Sequence, residues 1–302
     1  MRALLLRNPQ SQRGGIDLSP ALTLFQTHGL QVEIPDIEAN PSSWCAALEH
    51  AGQVDLVIVA GGDGSLNCAA EGLLKLNKPF GLLPLGTAND FARTMGIATE
   101  LDEAAKIIIA GHEEEIDIGF VNGHPFFNVA SIGVSAELAL TLTHEVKQQF
   151  GRLGYVLTAL RVLLRARPFS AIVNHAEGQA LVKTLQVAVG NGRFYGGGMA
   201  VHHAARINDH RLHLYSLELE QLWKLFLMAA DFRTGHHVHW EEVRSESGSR
   251  FEVITRRPRP VNADGEIISK TPALFTMKAR ALRVFAPASR SGEGVAPAPA
   301  SV

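Results

Sequence analysis

Seven consecutive residues, Gly61-Gly62-Asp63-Gly64-Ser65-Leu66-Asn67, combine what a loop needs to meet a phosphate. Three glycines among the first four let the backbone reach positive φ and come close to a ligand. The N–H groups of such a loop, and of a helix that starts in it, converge on one spot and favour an anion there. Ser65 adds a hydroxyl donor and Asn67 an amide. Gly86-Thr87 repeats the arrangement within Gly86-Thr87-Ala88-Asn89-Asp90. Asp63 fits less simply, because a carboxylate repels phosphate unless a cation stands between them. It suggests Mg²⁺ or a ribose hydroxyl close by. The plain alternative is a tight turn with Asp63 capping the helix. The second loop at this spacing favours a nucleotide phosphate site, and from it a kinase.

Three later groups carry further chemistry. In Asn262-Ala263-Asp264-Gly265-Glu266, two carboxylates flank a glycine at the end of a strand-like segment. Phosphoryl transfer to an alcohol needs the γ-phosphate positioned, its charge offset by Mg²⁺, and a carboxylate to accept the hydroxyl proton. Asp264 is the candidate base, and Glu266 could orient it or hold metal; the alternative is an Asp-Gly hairpin turn. Gly190 to Gly198 holds five glycines in nine residues, which suits a loop meeting a ligand or another domain, or a mobile hairpin. His202, His203, His210, His213, His236, His237 and His239 could bind zinc, although no HExxH or CxxC accompanies them. Asp209, beside Asn208 in a turn, is the better ligand for a hard cation.

These residues need elements to hold them. Apolar runs at Ala3 to Leu6, Leu30 to Ile34, Leu56 to Ala60 and Phe80 to Leu83 read as buried strands. Helical patterns separate them: Ser19 to His28, Trp44 to His50, and the stretch after the first glycine loop. Such alternation means βαβ units and a parallel sheet, whose ligands bind beyond the carboxyl ends of the strands, where the two glycine loops sit. A buried helix follows at Leu101 to Ala110, then a solvated charge run at Glu113 to Glu115 and a strand at Ile116 to Val121. Asn122-Gly123 is a hairpin signal, and Phe126 to Ile132 reads as one strand beyond it. Glu137 to Arg167 is mostly helical, interrupted at Phe150-Gly151. Its second half is basic and amphipathic, with Arg161, Arg165 and Arg167, and suits either a membrane surface or the protein's own domain. From Ala171 short strands and turns argue an antiparallel sandwich or barrel, with one helix at Leu222 to Ala230.

Composition narrows the partners. The chain has 302 residues, 46% of them apolar and 19% charged, with a net charge of −2, which gives no polycation to attract nucleic acid. Two cysteines, Cys45 and Cys68, are too few for a disulfide framework and read as free thiols. The apolar start ends at Arg7, too short for a signal peptide, and no run approaches the length of a transmembrane span.

The ordered set GGDGSLN (Gly61 to Asn67), PLGTANDFAR (Pro84 to Arg93), Ile116-Asp117-Ile118-Gly119, Phe127-Asn128, Ser131-Ile132-Gly133, Gly154-Tyr155, Gly190-Asn191, Gly196-Gly197-Gly198, Ile207-Asn208-Asp209 and Asp264-Gly265-Glu266 resembles the bacterial lipid kinases of the diacylglycerol kinase catalytic-domain superfamily. Their nucleotide domain is similar to that of NAD kinases. The resemblance runs from Ala3 to about Phe285. It implies an α/β nucleotide-binding domain at residues 1–122, a β-sandwich domain at 123–286 with the base and the lipid site, and an active site in the cleft between them; the composition of residues 287–302 reads as a disordered tail. It implies that Gly61, Gly62, Asp63, Gly64, Ser65, Leu66, Asn67 and Thr87 bind ATP. Asp264 would be the proton acceptor, supported by Glu266. Asp209 would ligate a structural Mg²⁺ with the backbone carbonyls of Arg206 and Arg211. The substrate would be a lipid alcohol at the inner face of the membrane, reached by a cytoplasmic, peripheral enzyme; a homodimer is compatible with this. The sequence departs from the family pattern at Ser65 (threonine is usual), at Pro35 (often threonine), at His210 (glycine is usual) and at His213 (often acidic or small and polar). Two other functions compete: a nucleotide- or lipid-binding regulator with weak or no catalysis, and a soluble-substrate kinase such as an NAD kinase. The carboxylates Asp63, Asp264 and Glu266 favour an enzyme over the first. The long second-half match and the basic amphipathic helix disfavour the second.

Overall fold

A computed structural model describes residues 1–9, 15–38, 40–51, 53–141, 162, 165–219, 224 and 228–288. The apolar runs become β1 (Arg2–Arg7), β2 (Gln31–Glu33), β3 (Leu56–Gly61) and β4 (Phe80–Pro84), parallel in the order β2-β1-β3-β4. All residues of β3 and β4 are buried, as strands covered on both faces must be. Helices α1 (Ser19–Thr27), α2 (Pro41–Glu49), α3 (Asp63–Leu76), α4 (Asp90–Met95) and α5 (Leu101–Ala110) accompany these strands, and Phe25, Trp44, Leu48, Leu73, Phe91 and Ile108 join their core. The α/β expectation for this part holds.

The second part is a β-sandwich, also as expected. β5 (Glu113–Val121) and β6 (His124–Phe126) form the hairpin marked by Asn122-Gly123, whose φ angles of 50° and 85° are those that turn demands. β7 (Val129–Gly133), α6 (Val134–Thr141), β8 (Phe169–His175), β9 (Gly178–Thr184), β10 (Gln186–Gly190), a small ribbon of β11 (Phe194–Tyr195) and β12 (Met199–Ala200), β13 (Leu212–Leu217) and α7 (Ala229–Thr234) follow. A 3₁₀ turn (His236–His239) then leads to β14 (Val243–Gly248), β15 (Arg250–Thr255), β16 (Pro260–Ala263), β17 (Glu266–Lys270) and β18 (Ala273–Phe285). One layer is the sheet β14-β13-β10-β7-β16-β17; the other continues the parallel sheet through β18, β15, β8 and β9, with β5 and β6 beside β18. Val121, Phe126, Ile132, Val173, Val189, Leu214, Phe251, Val253, Val261 and Phe275 fill the space between the layers.

β18 joins the two parts. Its first half pairs with β15 and β5, and its second half pairs with β5 and, at Val284, with β4. The register shifts between Lys278 and Leu282, with Arg280 at φ 49°.

Phe126 to Ile132 is not one strand: the chain leaves one sheet after Phe126 and enters the other at Val129. The edge strands β9 and β14 were hidden because exposed edges carry polar residues, as in Val243-Arg244-Ser245-Glu246. Of the long helix expected at Glu137 to Arg167, α6 ends at Thr141, and most of the remainder, Phe150-Gly151 and Arg161 included, lies outside the described residues, as do most of the Leu222 to Ala230 helix and the tail from 289. Among the described residues no helix is long and apolar enough to cross a membrane.

Candidate active site between two carboxylates

The first glycine loop leaves β3 and turns directly into α3, whose first residue is Asp63 and whose N-cap, Gly62, supplies no side-chain cap. The first-turn N–H groups are thus available to an anion. Gly64 is exposed. Not every residue of the run faces outward. Ser65 is buried, with its Oγ beneath Gly61 and accepting a bond from Asn8 Nδ2 at 3.0 Å. Leu66 belongs to the core, and its N–H donates to the Gly62 carbonyl. Asn67 is half-buried and Thr87, in the second loop, is exposed.

The two glycine loops lie against each other. A Cβ on Gly62 would stand 2.7 Å from the Gly86 Cα, and one on Gly86 would stand 2.6 Å from the Gly62 Cα. Glycine is therefore demanded here by backbone meeting backbone, independently of any ligand. Asn89, at φ 48°, closes the second loop by accepting from Gly86 N–H at 3.0 Å and donating to its carbonyl at 2.9 Å.

Asp63 does not cap its own helix. Its carboxylate accepts the N–H groups of Asp90 (3.0 Å) and Phe91 (2.9 Å), the free start of α4, and the Asn128 amide at 3.3 Å. Asn128 in turn belongs to the crossing between the sheets. There the N–H groups of Phe127, Asn128 and Val129 donate to the Asp264 carboxylate at 2.7, 3.0 and 3.1 Å. Asp264 and Gly265 form the two-residue turn between β16 and β17, at φ 47° and 96°. The hairpin and the functional readings of Asp264 are compatible: the turn's backbone geometry aims its side chain at the crossing.

Asn128 thus bridges a carboxylate of each half, and charge crowds around it. Burial, opposed by the three N–H bonds and reinforced by Asp63, pushes the Asp264 carboxyl up to about 7. Asp90 is pushed to about 6, mainly by burial, with Asp63 adding to the rise; Gly197 N–H and Arg93 work against it. Glu266 Oε1 stands 4.0 Å from where a Cβ of Gly64 would be, and desolvation raises its carboxyl. Burial raises the carboxyls of Asp264, Asp90 and Glu266, and hard oxygen donors held in this way fit a divalent cation carried in with a phosphate. Asp63 already accepts three N–H donors, and among the described residues no three potential ligands are grouped to hold a metal by themselves, so phosphate oxygens would have to complete the cation's shell.

The second metal position does not fit. Asp209 Oδ2 accepts from His213 Nε2 at 2.7 Å and from Arg206 N–H at 3.1 Å, and Oδ1 accepts from Arg211 N–H at 3.0 Å. Burial pushes this carboxyl up, but those donors outweigh it and leave it low. Arg206 and Arg211 offer Asp209 their N–H groups, where the resemblance implies carbonyl ligands, and an imidazole occupies the remaining side. This is the donor set of an anion already satisfied. Nearby, buried Asp117 accepts from His210 N–H (2.7 Å), His210 Nδ1 (3.0 Å) and Arg280 N–H (2.9 Å), which holds both residues at positive φ. Glycine would reach that conformation freely; His210 is kept there by Asp117.

Asn128, Asp90 and Asn191 are site residues that the chemistry of side chains alone passes over. Asn191, buried, donates to the carbonyls of Asp117 and Phe127 at 3.0 Å each. All three stand in the motif stretches, which was the available signal. The glycine-rich segment after Asn191 meets the other domain: Gly197 N–H reaches Asp90 Oδ2 at 2.9 Å, and Gly198 packs on Arg93.

An α/β domain with paired glycine loops is joined here to a sandwich whose Asp264 carboxylate is linked to Asp63 through Asn128. Residues 2–121 match the diacylglycerol kinase catalytic domain, and residues 128–286 match the YegS C-terminal NAD kinase beta sandwich-like domain. The chain belongs to this family of lipid kinases. It is 30% identical to a diacylglycerol kinase of Bacillus subtilis over 96% of its own length and 98% of the relative's. It is 33% identical over 68% of its length to a protein of Salmonella typhimurium described as "Probable lipid kinase YegS", covering 71% of that protein. A crystal structure of a diacylglycerol kinase from Bacillus anthracis shares the fold with a TM-score of 0.76, at 24% identity, covering 95% of this chain and 97% of that one.

Proposed function

We propose that the protein transfers the γ-phosphate of ATP to a hydroxyl of a lipid, diacylglycerol or a related lipid alcohol, in the cleft between its domains. The observation that carries this reading is the Asn128 bridge. It links a carboxylate with a carboxyl near 7 to Asp63 at the start of α3. Asp264 Oδ2 accepts a single N–H, so a lone pair remains for the acceptor's proton. A base poised near neutrality suits abstraction of an alcohol proton in the transition state. Gly61, Gly62 and Gly64 would admit the triphosphate, with the first-turn N–H groups of α3 as donors, and Thr87 and Asn67 would line its flank. Bound Mg²⁺, held by Asp63 with Glu266, would offset charge on the transferring group. Asp90 and Asn128 hold the two loops in register. The lipid would be met at a membrane surface, with the protein peripheral to its cytoplasmic face.

The test is one incubation with labelled ATP, Mg²⁺ and a fractionated lipid extract, followed by identification of the lipid that gains label. Label in a hydroxylated lipid with wild-type protein, absent with Asp264→Asn, supports the reading. ATP binding without turnover on any fraction would return the protein to a regulatory, ligand-binding role.

A further inference from the structure

Beside the cleft, five imidazole rings lie in a row of contacts, ending at His213, which stacks on His202 at 5.1 Å and binds the Asp209 carboxylate. His202 and His203 stack at 4.4 Å between ring centres, and His203 meets His236 at 5.4 Å and His239 at 5.0 Å. His202 and His203 follow β12; His236 and His239 belong to the 3₁₀ turn. The two segments fit closely, since a Cβ on Gly235 would strike the backbone of His202 and His203. Arg193 adjoins the row: it lies 5.3 Å over the Phe194 ring and acts electrostatically on His203. Among the described residues no carboxylate pairs with Arg193, His202, His203, His236 or His239. Two nitrogens of the group, Arg193 Nε and His203 Nδ1, are buried without a hydrogen-bond partner.

Buried polar atoms without partners cost free energy, so a ligand that satisfies them is favoured. The rings do not suit a metal. Their planes are inclined by only 14° to 39°, which keeps their nitrogens from converging, and among the described residues no group of three or more potential ligands is placed to hold one. An anion suits them better. Ala204 N–H donates to His202 Nδ1 at 3.1 Å, which leaves that ring's Nε2 as the N–H donor. Burial first, then the neighbouring imidazoles, holds the His202 ring down to about 4, and burial, the imidazoles and Arg193 lower His203; an arriving anion would reverse this repulsion.

We propose that Arg193, His202, His203, His236 and His239 form a site for the phosphate group of a membrane phospholipid. The site is on the second-domain lip of the cleft, because the β11–β12 turn between Arg193 and His202 is the one that touches Asp90. His236 and His239 are exposed and give a lipid surface access. This assignment rests on the lipid kinase reading for its choice of a lipid over free phosphate, but its test needs no catalysis.

Sedimentation with phosphatidylcholine vesicles, with and without phosphatidylglycerol, is measured in the absence of ATP for the wild type, Arg193→Ala and the double variant His236→Gln/His239→Gln. The wild type should bind the anionic vesicles, and inorganic phosphate should compete. Arg193→Ala should bind about fivefold more weakly, the effect of one interfacial charge, and the double variant should bind more weakly than the wild type as well. The exposed double variant guards against a folding defect in Arg193→Ala. Unchanged vesicle binding in both variants overturns the proposal. So do imidazole NMR shifts with inorganic phosphate in a protein that ignores vesicles, and Zn²⁺ binding by the wild type with no response to phosphate. A protein that binds vesicles through this patch but phosphorylates no lipid would sink the kinase reading and leave the site standing.

Discussion

Asp264 illustrates how one residue can serve two ends that oppose each other. Its carboxyl ionises near 3.8 in an unfolded chain and near 7 in the fold. Between those values the folded protein binds more protons than the unfolded one. This group's contribution to stability is therefore full below the lower value and is lost as pH rises through the window. With Asp264 as the proposed base, activity should run the other way, because a base must be unprotonated to accept a proton. Turnover should climb with pH toward about 7 and then level off, while the melting temperature loses part of its acid-side advantage; a pH series of turnover and of thermal melts reads both. Asp264→Asn should remove the acid limb and lower turnover on the order of 10²- to 10⁴-fold. It should also cost about 1–3 kcal/mol, because the Phe127 N–H would meet an amide NH₂ in place of Oδ2. ATP affinity should persist, since the glycine loops are on the other domain. Wild-type turnover in this variant would show that another group takes the proton.

At the scale of elements, the two glycine loops act as one unit. Gly62 and Gly86 touch through their Cα atoms, and Asp63 of one loop binds the start of the helix that follows the other. Gly62→Ala should therefore cost about 1–3 kcal/mol by overpacking, and should weaken ATP binding through displacement of the second loop. A double-mutant cycle with Asp63→Asn should be strongly non-additive in ATP affinity, because both changes act on the same contact; additive losses would show that the loops bind independently. This coupling marks the limit of what the sequence discloses. The glycine loops announce themselves because a buried strand, a glycine turn and a helix are local features. The partner of Asp63 is not local: it is the N-terminus of α4, 27 residues away. Phe126 to Ile132 reads as one strand because its residues are mostly apolar, and a change of sheet leaves no mark on periodicity. Yet that change frees the N–H groups that Asp264 takes up from more than 130 residues away. The Asp209 site is obscure for a related reason. His213 is four residues downstream on a buried strand, and only its rotamer brings Nε2 to the carboxylate.

For the whole molecule, the strand that returns from the sandwich to the parallel sheet sets the cooperativity. Phe275, early in β18, packs in the sandwich core, and Leu282, late in it, packs in the α/β core. One side of the strand runs beside β5 on both sides of the bulge, so neither core can unravel without exposing backbone that the other pairs. Phe127 strengthens the tie: it starts the crossing toward β7, yet its ring packs against Phe91 at 5.2 Å and Phe80 at 6.3 Å. Two parts linked in this way should unfold together, unlike domains joined by a linker. Tryptophans report on each side, Trp44 buried in the α/β core and Trp240 against the sandwich's outer cluster. With Trp223 replaced, single-tryptophan variants should give coincident denaturant midpoints. Leu282→Ala removes a side chain from the α/β core alone, and should cost about 2–5 kcal/mol. It should nevertheless move the Trp240 midpoint by as much as the Trp44 midpoint. A Trp240 transition that stays in place while Trp44 shifts would mean that β18 carries no coupling. The cleft would then lie between two bodies free to melt, and to move, separately.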